Sequence, residues 1–139
     1  MLLTALAAVA CLAATAAVVT VRVLIRIVTV HGPSMEPAVC DRDRLIVRRT
    51  RLSSIRSGQL VVVANPQDGH DGQWMVKRAV ALPGEPVPAA LRTAVPDETV
   101  PDGRFLVLGD NPAVSADSRR LGYLHADRLL GVVVRKLAG

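Results

Sequence analysis

One serine of this 139-residue chain lies in a stiff turn that could present a nucleophile. Ser34 stands within Gly-Pro-Ser-Met-Glu-Pro at residues 32–37, where each proline ring fixes φ near −65°. A serine hydroxyl becomes an effective nucleophile when a neighbouring base accepts its proton. The chain contains neither Gly-x-Ser-x-Gly nor Ser-x-x-Lys. We therefore expect a base for Ser34 to come from a distant strand.

Lys77 is the natural candidate for that base. Only two lysines occur, Lys77 and Lys136, and Lys77 has apolar neighbours on a predicted strand at residues 74–80. Lysine acts as a base only when it is neutral, which its ordinary pKa of ~10.4 prevents near pH 7. Burial among apolar side chains disfavours the ammonium and lowers the pKa. The alternative is an ordinary strand lysine whose stem is covered while its ammonium reaches water.

These two segments and a third one resemble the motifs of bacterial type I signal peptidases, in the family's order. Residues 32–37 resemble the nucleophile motif, and residues 77–85 resemble the lysine motif with its terminal Pro-Gly-acid. Residues 109–122 are similar to the third motif at the family's internal spacing. The resemblance covers residues 30–122 and implies the family's mostly β catalytic core with a Ser/Lys dyad.

The resemblance implies a role for five side chains of this chain. Ser34 would be the nucleophile and Lys77 the general base. Ser115 would hydrogen-bond to the lysine and orient it, as a third group orients the base in a triad. Asp117 and Arg119 would hold the shape of the site through a charge-assisted pair.

The residues around the nucleophile depart from part of the family. Gly32 and Met35 are expected to support the site, but some members have at position 32 a serine whose hydroxyl donates to the oxyanion. Pro33 has no N–H to offer. The Ser34 N–H is then one oxyanion donor, and a second remains open. For Ser118 a turn hydroxyl and a role in the site are equally good interpretations.

The first part of the chain predicts a membrane anchor. Residues 2–21 are uncharged and overwhelmingly apolar, and twenty helical residues span ~30 Å, the thickness of a bilayer core. We expect an anchor and its interface over residues 1–27, with Arg22 and Arg26 at the interface, and a β-rich peptidase domain over residues 28–139. The positive-inside rule would put this arginine flank in the cytoplasm, whereas a signal peptidase domain works on the extracytoplasmic face.

The rest of the chain indicates a mostly β fold, a small, partly open barrel or sandwich. A short helix is expected near residues 34–39 or 126–129, and residues 68–72 and 86–103 read as loops. The predicted strands are 28–30, 44–48, 60–64, 74–80, 104–108 and 130–135.

The composition excludes several partners and cofactors. The net charge of +5 comes almost wholly from arginine, but the arginines are scattered and lack interleaved aromatics, which disfavours nucleic acid and favours membrane lipid. No Cys or His cluster has metal-ligand spacing, so neither a metal nor a cofactor is expected.

The resemblance therefore predicts a membrane-anchored serine endopeptidase, single-pass in the cell membrane, that removes signal peptides through Ser34 and Lys77. Its partners would be exported precursors with small residues at positions −1 and −3. Two alternatives stay open. One is a dedicated maturation protease for one partner, such as a nickel superoxide dismutase precursor. The other is a catalytically inactive, membrane-tethered binding domain.

Overall fold

The computed structural model describes residues 1–68 and 73–137 of the chain. Apart from Asp68, the loop predicted at residues 68–72 lies outside the described residues. Single turns of 3-10 helix occur at Leu52–Ser54, Pro66–Asp68, Ala89–Leu91 and Ala126–Arg128. The helices and strands are α1 (Leu2–Leu24), β1 (Ile25–Thr29), β2 (Arg44–Arg49), β3 (Leu60–Ala64), β4 (Trp74–Ala81), β5 (Arg104–Leu108), α2 (Ser118–Leu121), β6 (Leu124–His125) and β7 (Leu129–Leu137).

The strands form one antiparallel sheet in the order β1-β2-β7-β3-β4-β5-β6. Strand β3 is near the centre of the sheet, and four of its five residues are buried, so both faces of the strand are covered. This explains its unbroken apolar sequence. The sheet curls so that residues of β1 and β4 line one groove although these strands are not neighbours. The predicted mostly β, partly open barrel is confirmed.

Helix α1 is a 23-residue apolar helix with no buried residue. Its mean hydropathy of 2.4 and its length of ~35 Å make it long and apolar enough to cross a membrane. Strand β1 follows it without a linker, since Leu24 ends the helix and Ile25 begins the strand. The strand thus begins three residues before the predicted domain boundary at residue 28.

Two local predictions differ from the structure. The helix considered near residues 34–39 is wrong, because those residues form turns around the proline-rich segment, whereas the short helix near residue 126 is confirmed as Ala126–Arg128. Strand β1 covers Ile25–Thr29 rather than residues 28–30, because it pairs along its whole length with β2, from Ile25 opposite Arg48 to Thr29 opposite Arg44. Helix α2 and strand β6 were not predicted.

The segment 86–103 has more structure than the loop expected from its prolines. Pro86 and Thr99 form an antiparallel bridge, and the Val87 N–H donates to the carbonyl of Glu98 at 2.8 Å. The segment also buries its own apolar side chains against Ala81 and Leu106 of the sheet. Those buried side chains are Val87, Leu91, Val95 and Val100.

Candidate active site

Ser34 lies in the turn between β1 and β2, and the buried side chain of Met35 anchors this turn to the core. The Met35 side chain is 1% exposed and packs in a core cluster with Val30, Leu45 and Val76. The Val39 N–H donates to the Met35 carbonyl at 3.0 Å, which closes the turn. Because Met35 is anchored in this core cluster, the neighbouring Ser34 is held in a fixed position beside it.

Gly32 lets the chain enter this turn. Its φ of +88° lies in the region that side chains with a Cβ avoid. Its N–H donates to Asp41 Oδ1 at 2.8 Å, which joins the two ends of the turn. The glycine thus has a conformational role in this turn.

Lys77 is the buried base candidate that the turn faces. Its side chain is on β4 and is 2% exposed, so the alternative of an ammonium in open water is wrong. Lys77 Nζ lies 3.1 Å from Ser34 Oγ and 3.1 Å from Ser115 Oγ. Burial lowers the pKa of Lys77; the carboxylate of Asp117 opposes this shift and the nearby Arg119 cation adds to it. The lowered pKa favours the neutral amine that a base requires.

Asp117 is a fully buried carboxylate with several donors around it. It accepts the Gly109 N–H at 2.8 Å, the Arg119 N–H at 3.1 Å, and two guanidinium donors of Arg119, Nη2 at 2.6 Å and Nε at 3.0 Å. Burial raises its pKa, but these hydrogen bonds and one from the Ser115 hydroxyl outweigh it and hold the pKa at about 2. Asp117 therefore stays ionised and ties Ser115, the lysine's neighbour, to a fixed charge.

The structure thus brings Ser34, Lys77, Ser115, Asp117 and Arg119 into one connected group. Their catalytic and supporting roles stay predictions. Ser118 is also fully buried, and its hydroxyl accepts the Val107 N–H of β5 at 2.9 Å. That contact joins the start of α2 to the sheet, which favours the structural interpretation of this serine.

Asp110 and Asn111 hold the serine turn and β4 together, an arrangement that was not predicted from the sequence; we call these two residues the clamp. The Asn111 N–H donates to the Ser34 carbonyl at 3.0 Å, and Asn111 Nδ2 donates to the Pro33 carbonyl at 3.2 Å. Asp110 in turn binds Arg78 of β4 in a bidentate pair at 2.6 and 2.8 Å. The Gly-Asp-Asn-Pro run at residues 109–112 was the available signal, but nothing in it shows which distant backbone it binds.

Gly109 lies in close contact with both Ser115 and the serine turn. A Cβ at this position would lie 2.0 Å from Ser115 Oγ and 2.8 Å from the Ser34 carbonyl oxygen. No side chain fits there, so only glycine lets the clamp, the serine turn and Ser115 meet. Gly109 lies within the third motif, and no role was predicted for it from the sequence.

An open groove of about 510 Å³ runs past Ser34 and Lys77. Its walls come from β1, the serine turn and β4 and are mostly apolar, and the lining residue Trp74 is 47% exposed. An open groove lined by strands can accommodate a polypeptide segment in an extended conformation. The other apolar residues along it include Val28, Val30, Met75, Val76, Val114 and Ala116.

Comparisons with known proteins agree on one family. The sequence profile of the family described as signal peptidase, peptidase S26, matches residues 3–90 and 88–137. A probable signal peptidase I-2 from Synechocystis sp. is 34% identical over 129 residues, which are 73% of this chain and 58% of that protein. A signal peptidase I from Bacillus amyloliquefaciens is 31% identical over 134 residues, which are 73% of this chain and 70% of that protein.

A solved structure is also similar. The crystal structure of a signal peptidase I from Enterococcus faecalis has a TM-score of 0.47 and 23% sequence identity, covering 58% of this chain and 97% of that chain. The chain spans less than two thirds of the length of the Synechocystis relative.

Proposed function

Because the chain belongs to the signal peptidase family of S26 peptidases, as the resemblance predicts, we propose that it is a membrane-anchored serine endopeptidase that removes signal peptides from exported precursors. The observation that carries this proposal is the pair of Ser34 Oγ and the buried Lys77 Nζ, 3.1 Å apart on the floor of an open groove. A surface serine without such a partner would remain a weak nucleophile.

The proposed reaction has two steps, acylation of Ser34 and hydrolysis of the resulting ester, and Lys77 transfers the proton in both. Ser34 Oγ attacks the scissile carbonyl while neutral Lys77 accepts the hydroxyl proton, and the resulting ammonium protonates the departing amine. This leaves an ester on Ser34 and a neutral lysine. Lys77 then accepts a proton from the attacking water, and that proton returns to Ser34 Oγ as the carboxylic acid product leaves.

Three groups keep the lysine in position for both steps. Ser115 Oγ accepts a hydrogen bond from Lys77 Nζ, and its own hydroxyl donates to Asp117. Arg119 balances the charge of the Asp117 carboxylate. Asp117 therefore stabilises the ammonium form of Lys77 less than an unpaired carboxylate would. The neutral amine therefore survives beside a buried anion.

The backbone of the serine turn supplies the first oxyanion donor. Within residues 1–68 and 73–137, no protein acceptor takes the Ser34 N–H, which leaves it for the developing oxyanion. Gly32 has no hydroxyl and Pro33 has no N–H. One donor of this kind is typically worth ~3 kcal/mol of transition-state stabilisation.

A precursor with Ala at positions −1 and −3 tests the substrate class. We expect the detergent-purified protein to cut it after the second Ala, because the resemblance predicts small residues at −1 and −3 and the dyad lies in an apolar groove. The resemblance predicts a small residue at −1, so the same precursor with Phe at that position should not be cut. Cleavage of both precursors alike would contradict the proposed specificity.

A panel of unrelated precursors separates the general role from a dedicated one. Cleavage of several of them supports signal peptide removal in general. Cleavage of a single partner precursor would favour a maturation protease. A Ser34→Ala variant must be inactive on every precursor, and activity in that variant would overturn the assignment.

We also propose that α1 is a single transmembrane helix and that the β domain lies on the extracytoplasmic face. Cys40 tests this orientation, because it is exposed in the β domain while Cys11 lies in α1. A membrane-impermeant maleimide should label intact cells at Cys40, and Cys40→Ser should abolish the labelling. Labelling that appears only after the cells are broken would place the domain in the cytoplasm.

A further inference from the structure

Five exposed arginines lie where the chain leaves α1. Arg22 is in the last turn of the helix, and Arg26 follows two residues after its end. The sheet register brings Arg48 opposite Ile25 at the start of β1, with Arg49 next in β2. Arg51 follows β2 directly. We call these five residues the basic rim, and all of them are on the end of the sheet that α1 enters.

The basic rim has no internal counter-charge. Within residues 1–68 and 73–137, none of the five guanidinium groups forms an ion pair with a carboxylate. The opposite end of the sheet does contain paired carboxylates, because Lys136 pairs with Asp43 at 2.8 Å and Arg42 with Asp41 at 3.7 Å there. A cluster of five unpaired cations at one end of the domain is complementary to an anionic surface.

Two members of the rim also form a pocket. Arg26 and Arg49 line a cavity of about 320 Å³ together with Trp74 and Ile27, which are 47% and 55% exposed. Exposed Trp beside Arg is the combination that favours the membrane–water interface, where the ring contacts acyl chains and the guanidinium binds phosphate. The pocket therefore combines groups for a charged headgroup with groups for the apolar layer beneath it.

As a membrane span, α1 would place this pocket at headgroup level. The helix spans ~35 Å, slightly more than a bilayer core of ~30 Å, and no linker separates it from β1. We propose that the pocket of Arg26, Arg49 and Trp74 binds the phosphate headgroup of an anionic phospholipid such as phosphatidylglycerol. This inference rests on the proposed membrane anchor and does not depend on the dyad.

Lipid binding there would fix the catalytic groove against the membrane. Trp74 lines both the headgroup pocket and the groove that contains Ser34 and Lys77. A headgroup held by Arg26 and Arg49 would thus sit beside the entrance of the groove. The groove would then open at the depth where an extended precursor leaves the bilayer.

Trp74 provides the readout, because it is the only tryptophan in the chain. The full chain is incorporated into nanodiscs of phosphatidylcholine alone or with added phosphatidylglycerol, and quenching of Trp74 fluorescence by neutral acrylamide is measured. We expect phosphatidylglycerol to protect Trp74 from the quencher. Equal quenching in the two kinds of disc would overturn the lipid site.

Paired variants show whether the rim's arginines carry the effect. R26Q/R49Q should lose the protection, because each basic residue near an anionic surface contributes about fivefold to binding, or ~30-fold for two. R26K/R49K should keep it, which guards against a folding defect, and R44Q at the other end of β2 is the matched control. Protection retained by R26Q/R49Q, or lost equally in R44Q, would contradict the proposal.

Three outcomes separate the possible failures. Soluble glycerol phosphate that protects Trp74 equally well in phosphatidylcholine discs would show a free-phosphate site and overturn the lipid assignment. Failure of the chain to incorporate into either disc would overturn the anchor together with the lipid site. Incorporation without dependence on phosphatidylglycerol would overturn the lipid site alone.

Discussion

Replacing Lys77 by methionine is expected to reduce precursor cleavage by roughly 10³-fold or more. Methionine has a similar length and stays buried, but it cannot accept the proton of Ser34, whose Oγ lies 3.1 Å from Lys77 Nζ. The measurement is kcat/KM for an Ala-x-Ala precursor in wild type and K77M. Near-normal cleavage by K77M would exclude lysine as the base.

The second lysine of the chain is the matched control. Lys136 is half exposed on β7 and pairs with Asp43 at the far end of the sheet. Since exposed ion pairs contribute little to stability, K136M should fold and cleave like wild type. A loss of activity shared by both variants would point to a general effect of removing a lysine rather than to the dyad.

The K77M substitution is also expected to change how the free energy of unfolding depends on pH. The pKa of Lys77 is lowered by burial in the folded state and is ordinary in the unfolded chain, so the unfolded state binds more protons between the two values. The free energy of unfolding of wild type therefore rises relative to K77M as the pH increases through that window towards 10.5. Urea unfolding of both proteins at neutral and alkaline pH measures this shift. The opposite sign would contradict a buried lysine with a lowered pKa.

Replacing Gly109 by alanine is the second change with a large expected effect. The new methyl group would lie 2.0 Å from Ser115 Oγ and 2.8 Å from the Ser34 carbonyl oxygen, so the nucleophile turn and Ser115 must move apart. We expect a loss of about 10²-fold or more in kcat/KM, because a misplacement near 1 Å has that effect. Overpacking should also lower the free energy of unfolding by about 1–3 kcal/mol.

Gly103 separates steric conflict in the site from ordinary backbone strain. Its φ is +70°, but a Cβ there would meet nothing within 4 Å. Gly103→Ala should therefore lower stability by about 1 kcal/mol through strain and leave kcat/KM of the folded protein unchanged. If Gly109→Ala behaves like Gly103→Ala and retains its activity, the close packing of Gly109 against Ser115 is not needed for the reaction.

Local sequence patterns predicted the central strands well. The bounds of β3 and β5 agree with the predictions, because β-branched and aliphatic runs end there at Asn-Pro and Gly-Asp. The start of β1 was not visible, because its apolar residues continue those of α1 without a break in composition. Pairing with β2, rather than local preference, decides where the helix ends.

The candidate site was predictable as a set of residues but not as a geometry. The motif resemblance named Ser34, Lys77 and Ser115, while their 3.1 Å contacts depend on how the sheet curls. The contacts of Gly109 and Asn111 with the serine turn join positions more than seventy residues apart, and no local pattern reports such a contact. Burial of Lys77 likewise follows from packing of the whole domain.

The most direct test of the dyad is the rate at which Ser34 is acylated as a function of pH. A slowly hydrolysed peptide ester can be followed by intact-protein mass spectrometry in wild type, K77M and K136M. The account predicts that acylation of wild type and K136M rises with pH to a plateau, with an apparent pKa below the ordinary 10.5 of lysine, and that K77M shows neither the rate nor the rise. Acylation of K77M with the wild-type rate and pH profile would contradict it.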